Sequence, residues 1–330
     1  MNDSSFMRPA VILLFVAALA AAPFAVNQGL LFLIGIAMLQ AMFALSWNLM
    51  FRYAGLASFG HAMFYGIGGY AVAAIIFHGF PLPFLLAILV STAIGAIVAF
   101  VVALIVLQRA AGIQLAVLTL ALSQLVLLFV SYTDFLGRDD GLSGLARPVL
   151  DFGLFVLDLR SPTAFYYFIM VAFGLVTVGL LWFVSGRFGR VLLAVRIDSE
   201  RAAFLGVDVR RKRIFVFTLA GAIASFAGAL AAPWAQIIST DSMSWFNSAQ
   251  PMLATLLGGA GSYWGPVIGA FGLILVNYFT RTFVGLSEFM VGGILLFVVL
   301  LAPSGIAGFF EMLRRMRNRT STVSAREQNQ

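Results

Sequence analysis

The chain has 330 residues, of which 62% are hydrophobic and only 10% are charged, and it contains no cysteine. Soluble domains are about 45–50% apolar, so the composition excludes an ordinary soluble protein, and the lack of cysteine excludes disulfide bonds, thiolate chemistry and zinc sites built on cysteine. The formal net charge of +7 comes largely from clusters beside hydrophobic segments, where basic residues orient membrane proteins. We therefore expect membrane lipid around the chain and no nucleic-acid partner.

Ten hydrophobic segments account for most of the chain, and a helical bilayer crossing needs about 20 apolar residues. In chain order they cover residues 10–26, 29–51, 56–77, 82–107, 112–132, 164–184, 213–235, 246–260, 264–283 and 286–308. The alternating ten-residue segments of a membrane β-barrel are absent. The sequence predicts an all-α, polytopic membrane protein with about ten transmembrane helices, in a range of about eight to ten, forming a single domain over residues 1–330.

Two of these segments have a second interpretation. Arg8 followed by VILLFVAALAAAPFA resembles a cleavable signal peptide, and cleavage would remove one crossing. The segment 246–260 is short and contains Pro251 and Gly258-Gly259, which favours a broken or re-entrant piece. Such pieces persist in a membrane only where protein or a water-filled cavity covers their free backbone groups.

The basic residues fix the orientation. With the N-terminus in the cytoplasm, sixteen of the 20 lysines and arginines fall on the cytoplasmic side and four fall outside, as the positive-inside rule requires. Residues 132–161 then form a periplasmic loop, residues 185–212 a cytoplasmic loop, and residues 311–330 a basic cytoplasmic tail. Five segments precede the periplasmic loop and five follow it, so the halves enter the membrane from opposite sides, which predicts an inverted 5+5 arrangement.

Glycine and alanine recur four residues apart in several segments, for example at Ala224, Gly228 and Ala232. Small residues at this spacing let helices approach closely in lipid, where no hydrophobic force drives helix association. We interpret most of these positions as packing surfaces and the remainder as the lining of a pathway between mobile helices.

Several polar side chains lie at membrane depth. They are Gln40, Ser46, Asn48, Ser58, His61, Thr119, Ser123, Gln124 and Asn277. Buried polar groups are costly without partners and can mark a solute path, or they can simply join neighbouring helices by hydrogen bonds. Ser58, His61 and Gln124 are our candidates for a substrate pathway, with interhelical bonding as the alternative.

Ionisable residues are absent from the predicted membrane interior. All thirteen acidic residues fall in loops, tails or segment ends, whereas ion-driven carriers usually keep ionisable groups inside the bilayer. The sequence has no paired carboxylates, Ser-His-Asp set or HExxH motif, and its only lysine, Lys212, lies in RRKR and not in a phosphate-binding loop. We expect a chain that is not an enzyme, holds no metal or cofactor and cannot hydrolyse ATP by itself.

One short stretch, RIDSERAAFLGVDVRRKRIF, concentrates the charge. Asp198 or Ser199 is a suitable N-cap and Gly206 a suitable C-terminal stop, so a helix of about two turns lies between them. Isolated helices this short are marginal in water. The helix therefore rests on its own membrane domain beside an orientation signal, or it docks into a cytoplasmic partner.

The same stretch resembles a known loop. Glu200-Arg201-Ala202, three further residues and Gly206 resemble the EAA-x₃-G loop of ABC importer permeases, with arginine in the second position. Its surroundings, Gly189–Leu230, are similar to LivM-like permeases of branched-chain amino-acid importers. Further stretches of the chain resemble that family: GLASFGHAMFYGIGGYAVA, LAVLTLALSQLVLLF, RDDGLSGL and LLGGAGSYWGPVIGA. The resemblance covers residues 29–310.

This resemblance implies a permease subunit in a bacterial inner membrane, with both termini in the cytoplasm. Its partners would be a second related permease, two cytoplasmic ATPase subunits that hold ATP and Mg²⁺, and a periplasmic binding protein. The residues implied in ATPase coupling are Asp198, Glu200, Arg201, Ala202 and Gly206. The solute would be a branched-chain or other hydrophobic amino acid. Urea or a short amide is the alternative within the family, and an ATP-independent channel or carrier is the alternative outside it.

Overall fold

The computed structural model describes residues 9–108, 112–151 and 156–280, together with positions 292, 293, 296 and 305. The helices are α1 Pro9–Ala25, α2 Gln28–Asn48, α3 Ala62–Phe77, α4 Phe84–Val106, α5 Ile113–Ser131, α6 Pro162–Ser185, α7 Arg187–Ile197, α8 Ser199–Phe204, α9 Val209–Ala235, α10 Trp245–Gly258 and α11 Gly265–Thr280. The strands are β1 Leu142–Ser143, β2 Val149–Asp151, β3 Val156–Asp158 and β4 Ile237–Ile238. A π-helical turn, Leu49–Ala54, prolongs α2.

The length and composition of these helices confirm an all-α polytopic membrane protein. Within the described ranges, five helices are long and apolar enough to cross a membrane: Gln28–Ala54, Phe84–Val106, Ile113–Ser131, Pro162–Ser185 and Val209–Ala235. Val11–Ala25, Ala62–Phe77 and Gly265–Thr280 are shorter apolar helices. The predicted segment 286–308, apart from its four described positions, and the predicted tail 311–330 lie outside the described residues.

Two local predictions need correction. The third segment was predicted from residue 56, but Gly55 has a φ of +68°, which ends the preceding helix, and α3 begins only at Ala62. The loop that was predicted to be cytoplasmic contains α7 in addition to the predicted short helix, because the apolar side of α7, with Leu192 and Val195, is buried. The non-helical stretch before α3 and the loop helix α7 are therefore ordered parts of the fold.

Two parts of the chain repeat one order of elements. The helical stretches 28–54 and 209–235 are each 27 residues long, and each is followed by a residue with positive φ, Gly55 or Gln236. A stretch without α-helix comes next, which in the second part includes β4 and the 3₁₀ helix Thr240–Met243. A short helix, a connection and another helix follow, namely α3 and α4 in the first part and α10 and α11 in the second. Moreover, α9 packs on α3 and α4, while α2 packs on α10 and α11. The long helix of each part, α2 or α9, thus contacts the two helices that follow the long helix of the other part.

Glycine permits the closest of these contacts. A Cβ at Gly228 of α9 would lie only 1.8 Å from the backbone oxygen of Tyr65 in α3. A Cβ at Gly68 would likewise lie 2.0 Å from the backbone oxygen of Ser225. No larger residue fits at these positions without moving a backbone. The predicted role of the small residues around Gly228 in helix packing is confirmed.

The predicted periplasmic loop contacts the segment that follows α9. Strand β1 pairs antiparallel with β4, and β2 pairs with β3. Arg147 in this loop donates a hydrogen bond from Nη2 to the backbone oxygen of Trp234 at 3.3 Å, and its guanidinium lies 5.1 Å from the Trp234 ring centroid. Burial lowers the pKa of Arg147 by desolvation, a cost that the ring and the carbonyl partly offset. These contacts place the loop and β4 on one side of the membrane domain.

Candidate functional site

The predicted coupling loop is anchored to the membrane domain through α7. Leu192 and Val195 are fully buried, and α7 packs against α6 and the π-helical turn at the end of α2. Nη1 of Arg196 donates a 2.6 Å hydrogen bond to the backbone oxygen of Arg52 in that turn. These contacts therefore join the loop to α2, the helix that packs on α6, α9, α10 and α11.

Local capping fixes the start of α8, as the sequence predicts. Oδ1 of Asp198 accepts hydrogen bonds from the backbone N–H groups of Glu200 and Arg201, at 3.1 Å and 3.0 Å. Nε of Arg201 also lies 2.8 Å from Oδ2 of Asp198. A side-chain oxygen at this position satisfies N–H groups that have no partner within the helix.

The end of α8 is a Schellman turn. The N–H of Gly206 donates to the oxygen of Ala203 at 2.9 Å, and the N–H of Val207 donates to the oxygen of Ala202 at 3.1 Å, which is the bonding pattern of that motif. Gly206 has a φ of +84°, and a Cβ there would meet no atom within 4 Å. Any effect of a side chain at this position will therefore come through the backbone conformation.

The outer surface of the loop presents apolar side chains. Ala202 faces inward and is buried, whereas Phe204 is 91% exposed and Leu205 is 84% exposed. The neighbouring Arg201 side chain is also largely exposed. An aromatic and an aliphatic side chain held in the open beside a charge form a small surface suited to contact with another protein.

Of the candidates for a substrate pathway, His61 and Ser58 lie in closed packing. Nε2 of His61 is 2.8 Å from Oγ of Ser46, whose hydroxyl donates to the oxygen of Phe43. A hydroxyl has one hydrogen to donate, so Nε2 of His61 is assigned as the donor to Ser46. Both His61 and Ser58 are fully buried, while Nδ1 of His61 and Oγ of Ser58 have no hydrogen-bond partner among the described residues.

Gln124 lies on α5, the helix whose residues Thr119 and Ser123 pack against Gly60. Its Nε2 is buried without a hydrogen-bond partner among the described residues. The adjacent Ser123 donates from Oγ to the backbone oxygen of Met243 at 3.3 Å, so this part of α5 contacts the 3₁₀ helix Thr240–Met243 that precedes α10. No hydrogen bond within the described part of the chain joins Gln124 to His61 or Ser58.

Side chains of two helices bond backbone groups of the non-helical stretch 55–61, and a side chain of a third helix bonds the residue that follows it. Nε1 of Trp47 donates to the oxygen of Ser58 at 2.8 Å. The N–H of Phe59 donates to Oγ1 of Thr119 at 3.2 Å. The N–H of Ala62, the first residue of α3, donates to Oγ of Ser248 at 3.1 Å. The first turns of α3 and α10 thus meet inside the membrane domain.

A polar cavity of about 160 Å³ lies between α2, α10 and α11. Four carboxamide side chains line it together with apolar residues: Gln40, Asn247, Gln250 and Asn277, with Ala254, Ala270, Leu273 and Ile274. Gln40 and Asn277 are among the polar residues predicted at membrane depth, whereas Asn247 and Gln250 are not among the predicted site residues. Their three-residue spacing, which places them on one face of α10, was the available signal.

Comparison with known proteins identifies the family. The sequence profile described as "Branched-chain amino acid transport system / permease component" matches residues 29–302. The high-affinity branched-chain amino acid transport system permease protein LivM of Escherichia coli K12 is 28% identical over 96% of this chain and 79% of the relative. The corresponding LivM protein of Salmonella typhimurium is 29% identical over 92% of this chain and 76% of the relative.

More distant similarity extends to a sugar permease. The galactose/methyl galactoside import permease protein MglC of Salmonella typhimurium is 28% identical over 67% of this chain and 67% of its own length. No solved structure gives a significant match. Because the family profile spans most of the chain, from before the π-helical turn to beyond α11, the chain belongs to the permease component family of branched-chain amino acid transport systems.

Proposed function

We propose that the chain is the membrane-spanning permease subunit of an ATP-driven importer for branched-chain or other hydrophobic amino acids. The observation that carries this proposal is the family match over residues 29–302. The LivM relatives cover more of the chain than the MglC relative does, at similar identity, which favours an amino acid over a sugar. The family also favours an importer over an ATP-independent channel or carrier.

The importer that we propose contains further subunits. The permease pairs with a second related permease, two cytoplasmic ATPase subunits and a periplasmic binding protein, in a bacterial inner membrane. The chain itself has no phosphate-binding loop sequence, so ATP and Mg²⁺ bind the ATPase subunits. The capped, outward-facing α8 supports this division of labour, since its exposed Phe204 and Leu205 offer a docking surface for an ATPase.

The arrangement in the membrane is an inverted 5+5 repeat with about ten crossings and both termini in the cytoplasm. Its support is the repeated order of elements after α2 and after α9. The assignment of each loop to the periplasmic or the cytoplasmic side also agrees with the contacts between elements. The predicted periplasmic loop pairs with β4, and α7 contacts the turn at the end of α2, which the charge pattern places in the cytoplasm.

The function is tested by isolating the chain with its partners and assaying transport. We expect co-purification of an ATPase, and ATP-dependent leucine uptake by proteoliposomes that contain the complex and its binding protein. Branched-chain amino acids, other amino acids, short amides and urea form the substrate panel. Uptake of urea but not leucine would overturn the amino-acid assignment, and uptake that needs no ATP would overturn the importer.

The orientation is tested with single cysteines, for which a chain without cysteine gives a clean background. Asp140 and Glu200 are both exposed. In intact spheroplasts, we expect an impermeant maleimide to label Asp140→Cys but not Glu200→Cys, whereas a permeant maleimide labels both. The reverse pattern with the impermeant reagent would invert the proposed topology.

The coupling role is tested at Gly206. A valine there has room but must adopt a φ of +84°, which costs a residue with a side chain about 1–2 kcal/mol. We expect Gly206→Val to distort α8 and reduce substrate-stimulated ATP hydrolysis severalfold, with normal amounts of the permease in the membrane, and Gly206→Ala to be milder.

A matched control is Gly179→Val, because a Cβ at Gly179 also meets no neighbouring atom and its φ is not positive. It should leave coupled hydrolysis intact. Normal uptake by the Gly206→Val complex at equal expression would mean that the loop only orients the protein, and the coupling role would be wrong.

A further inference from the structure

The carboxamide-lined cavity lies near the middle of a membrane-crossing helix. Gln40 is close to the centre of the helical stretch 28–54, and Asn277 and the first turns of α10 face it across the cavity. Its volume of about 160 Å³ is similar to that of an engineered cavity of about 150 Å³ that holds benzene. The space therefore suits a small molecule or several waters.

The amides that face this cavity are largely without protein partners. Asn247 donates from Nδ2 to the oxygen of Ser242 at 2.7 Å. The side chains of Gln40, Gln250 and Asn277 make no hydrogen bond with any described residue, although all three are half-buried. Unpaired polar groups at this depth are costly. Donors and acceptors that have no partner in the described part of the chain point to a ligand or to water.

Helix packing does not require these amides. In the other part of the chain the same helix arrangement occurs, with α9 packed on α3 and α4. Gln40 lies twelve residues after the start of the helical stretch 28–54, and Gly221 lies twelve residues after the start of the stretch 209–235, so the two positions correspond. There the contact is closed, because a Cβ at Gly221 would collide with Ala99 and touch Phe64. Glycine, alanine and phenylalanine thus suffice for packing, and the amides are a feature of one part alone.

The lining also indicates the chemistry of the ligand. Each carboxamide offers both an N–H donor and a carbonyl acceptor, so together they can hydrogen-bond a carboxylate and an ammonium group. Among the described residues, the cavity lining contains no charged side chain to favour a net anion or cation, and Ala254, Ala270, Leu273 and Ile274 supply an apolar wall. An amphipathic zwitterion with an aliphatic side chain matches both surfaces.

We propose that this cavity is a binding subsite for the transported solute, which is a zwitterionic amino acid with an aliphatic side chain. The proposal rests on the proposed function as an amino-acid importer. In this subsite, the side chains of Gln250 and Asn277 hydrogen-bond the α-ammonium and α-carboxylate groups of the solute. The apolar lining residues of α11 contact the side chain of the solute. Substrate specificity is then set partly inside the membrane domain and not only by a binding protein.

The first test uses the reconstituted importer with radiolabelled leucine. Gln250→Leu and Asn277→Leu remove an amide at similar size, and we expect each to lower kcat/KM for leucine uptake about ten- to hundredfold, the effect of losing one hydrogen bond to a charged group. The matched control is Gln28→Leu, since Gln28 lies on α2 but is exposed and outside the cavity. The control should transport leucine like the wild type.

The second test detects occupancy without relying on turnover or on the leucine variants. In the otherwise cysteine-free chain, a small methanethiosulfonate reagent should label Asn277→Cys, and saturating leucine should slow this labelling. Labelling of Gln28→Cys should be unaffected by leucine, and lysine or glutamate should protect Asn277→Cys less than leucine does.

The outcomes separate the subsite from the function. If the wild-type importer takes up leucine but both leucine variants match it and leucine does not protect Asn277→Cys, the subsite is wrong and the cavity holds water only. If the wild-type importer does not take up leucine, the proposed function fails and the subsite fails with it. Reduced uptake together with leucine protection at Asn277→Cys supports both.

Discussion

Lipid offers no hydrogen-bond partner to a free backbone group, and the stretch 55–61 breaks its helix inside the membrane domain. Two of its backbone groups, at Ser58 and Phe59, are bonded instead by the side chains of Trp47 and Thr119, and the N–H of Ala62, directly after the stretch, donates to Ser248. No side chain of its own caps α3, and Ser248 of α10 takes that role. The break therefore ties α2, α3, α5 and α10 together, and the packing around it depends on these bonds.

The break and the coupling loop are connected through one helix. The π-helical turn that ends α2 contacts α7, and the amide-lined cavity lies further along the same helix at Gln40. A displacement of the exposed α8 would thus be passed through α7 to α2, the helix that borders both the break and the cavity. In the proposed importer this connection transmits motion of the ATPase to the solute pathway.

Structural features that depend only on residues close together in sequence could be predicted from the sequence. Asp198 and Gly206 cap α8 as predicted, because caps are local. The break before Ala62 was not predicted, since two of the groups that stabilise it, Thr119 and Ser248, lie far away in sequence. The cavity was missed for the same reason, because α2, α10 and α11 contribute its amides and only Asn247 and Gln250 are close together in sequence.

The most direct test of the central claim compares two buried serines by thermal unfolding in detergent. Ser248→Ala removes the acceptor of the Ala62 N–H, and leaving a buried donor unpaired costs about 1–3 kcal/mol. Ser58→Ala removes an equally buried hydroxyl that has no partner among the described residues. The account predicts a lower melting temperature for Ser248→Ala and an unchanged or higher one for Ser58→Ala. Equal melting temperatures for the two variants would contradict it.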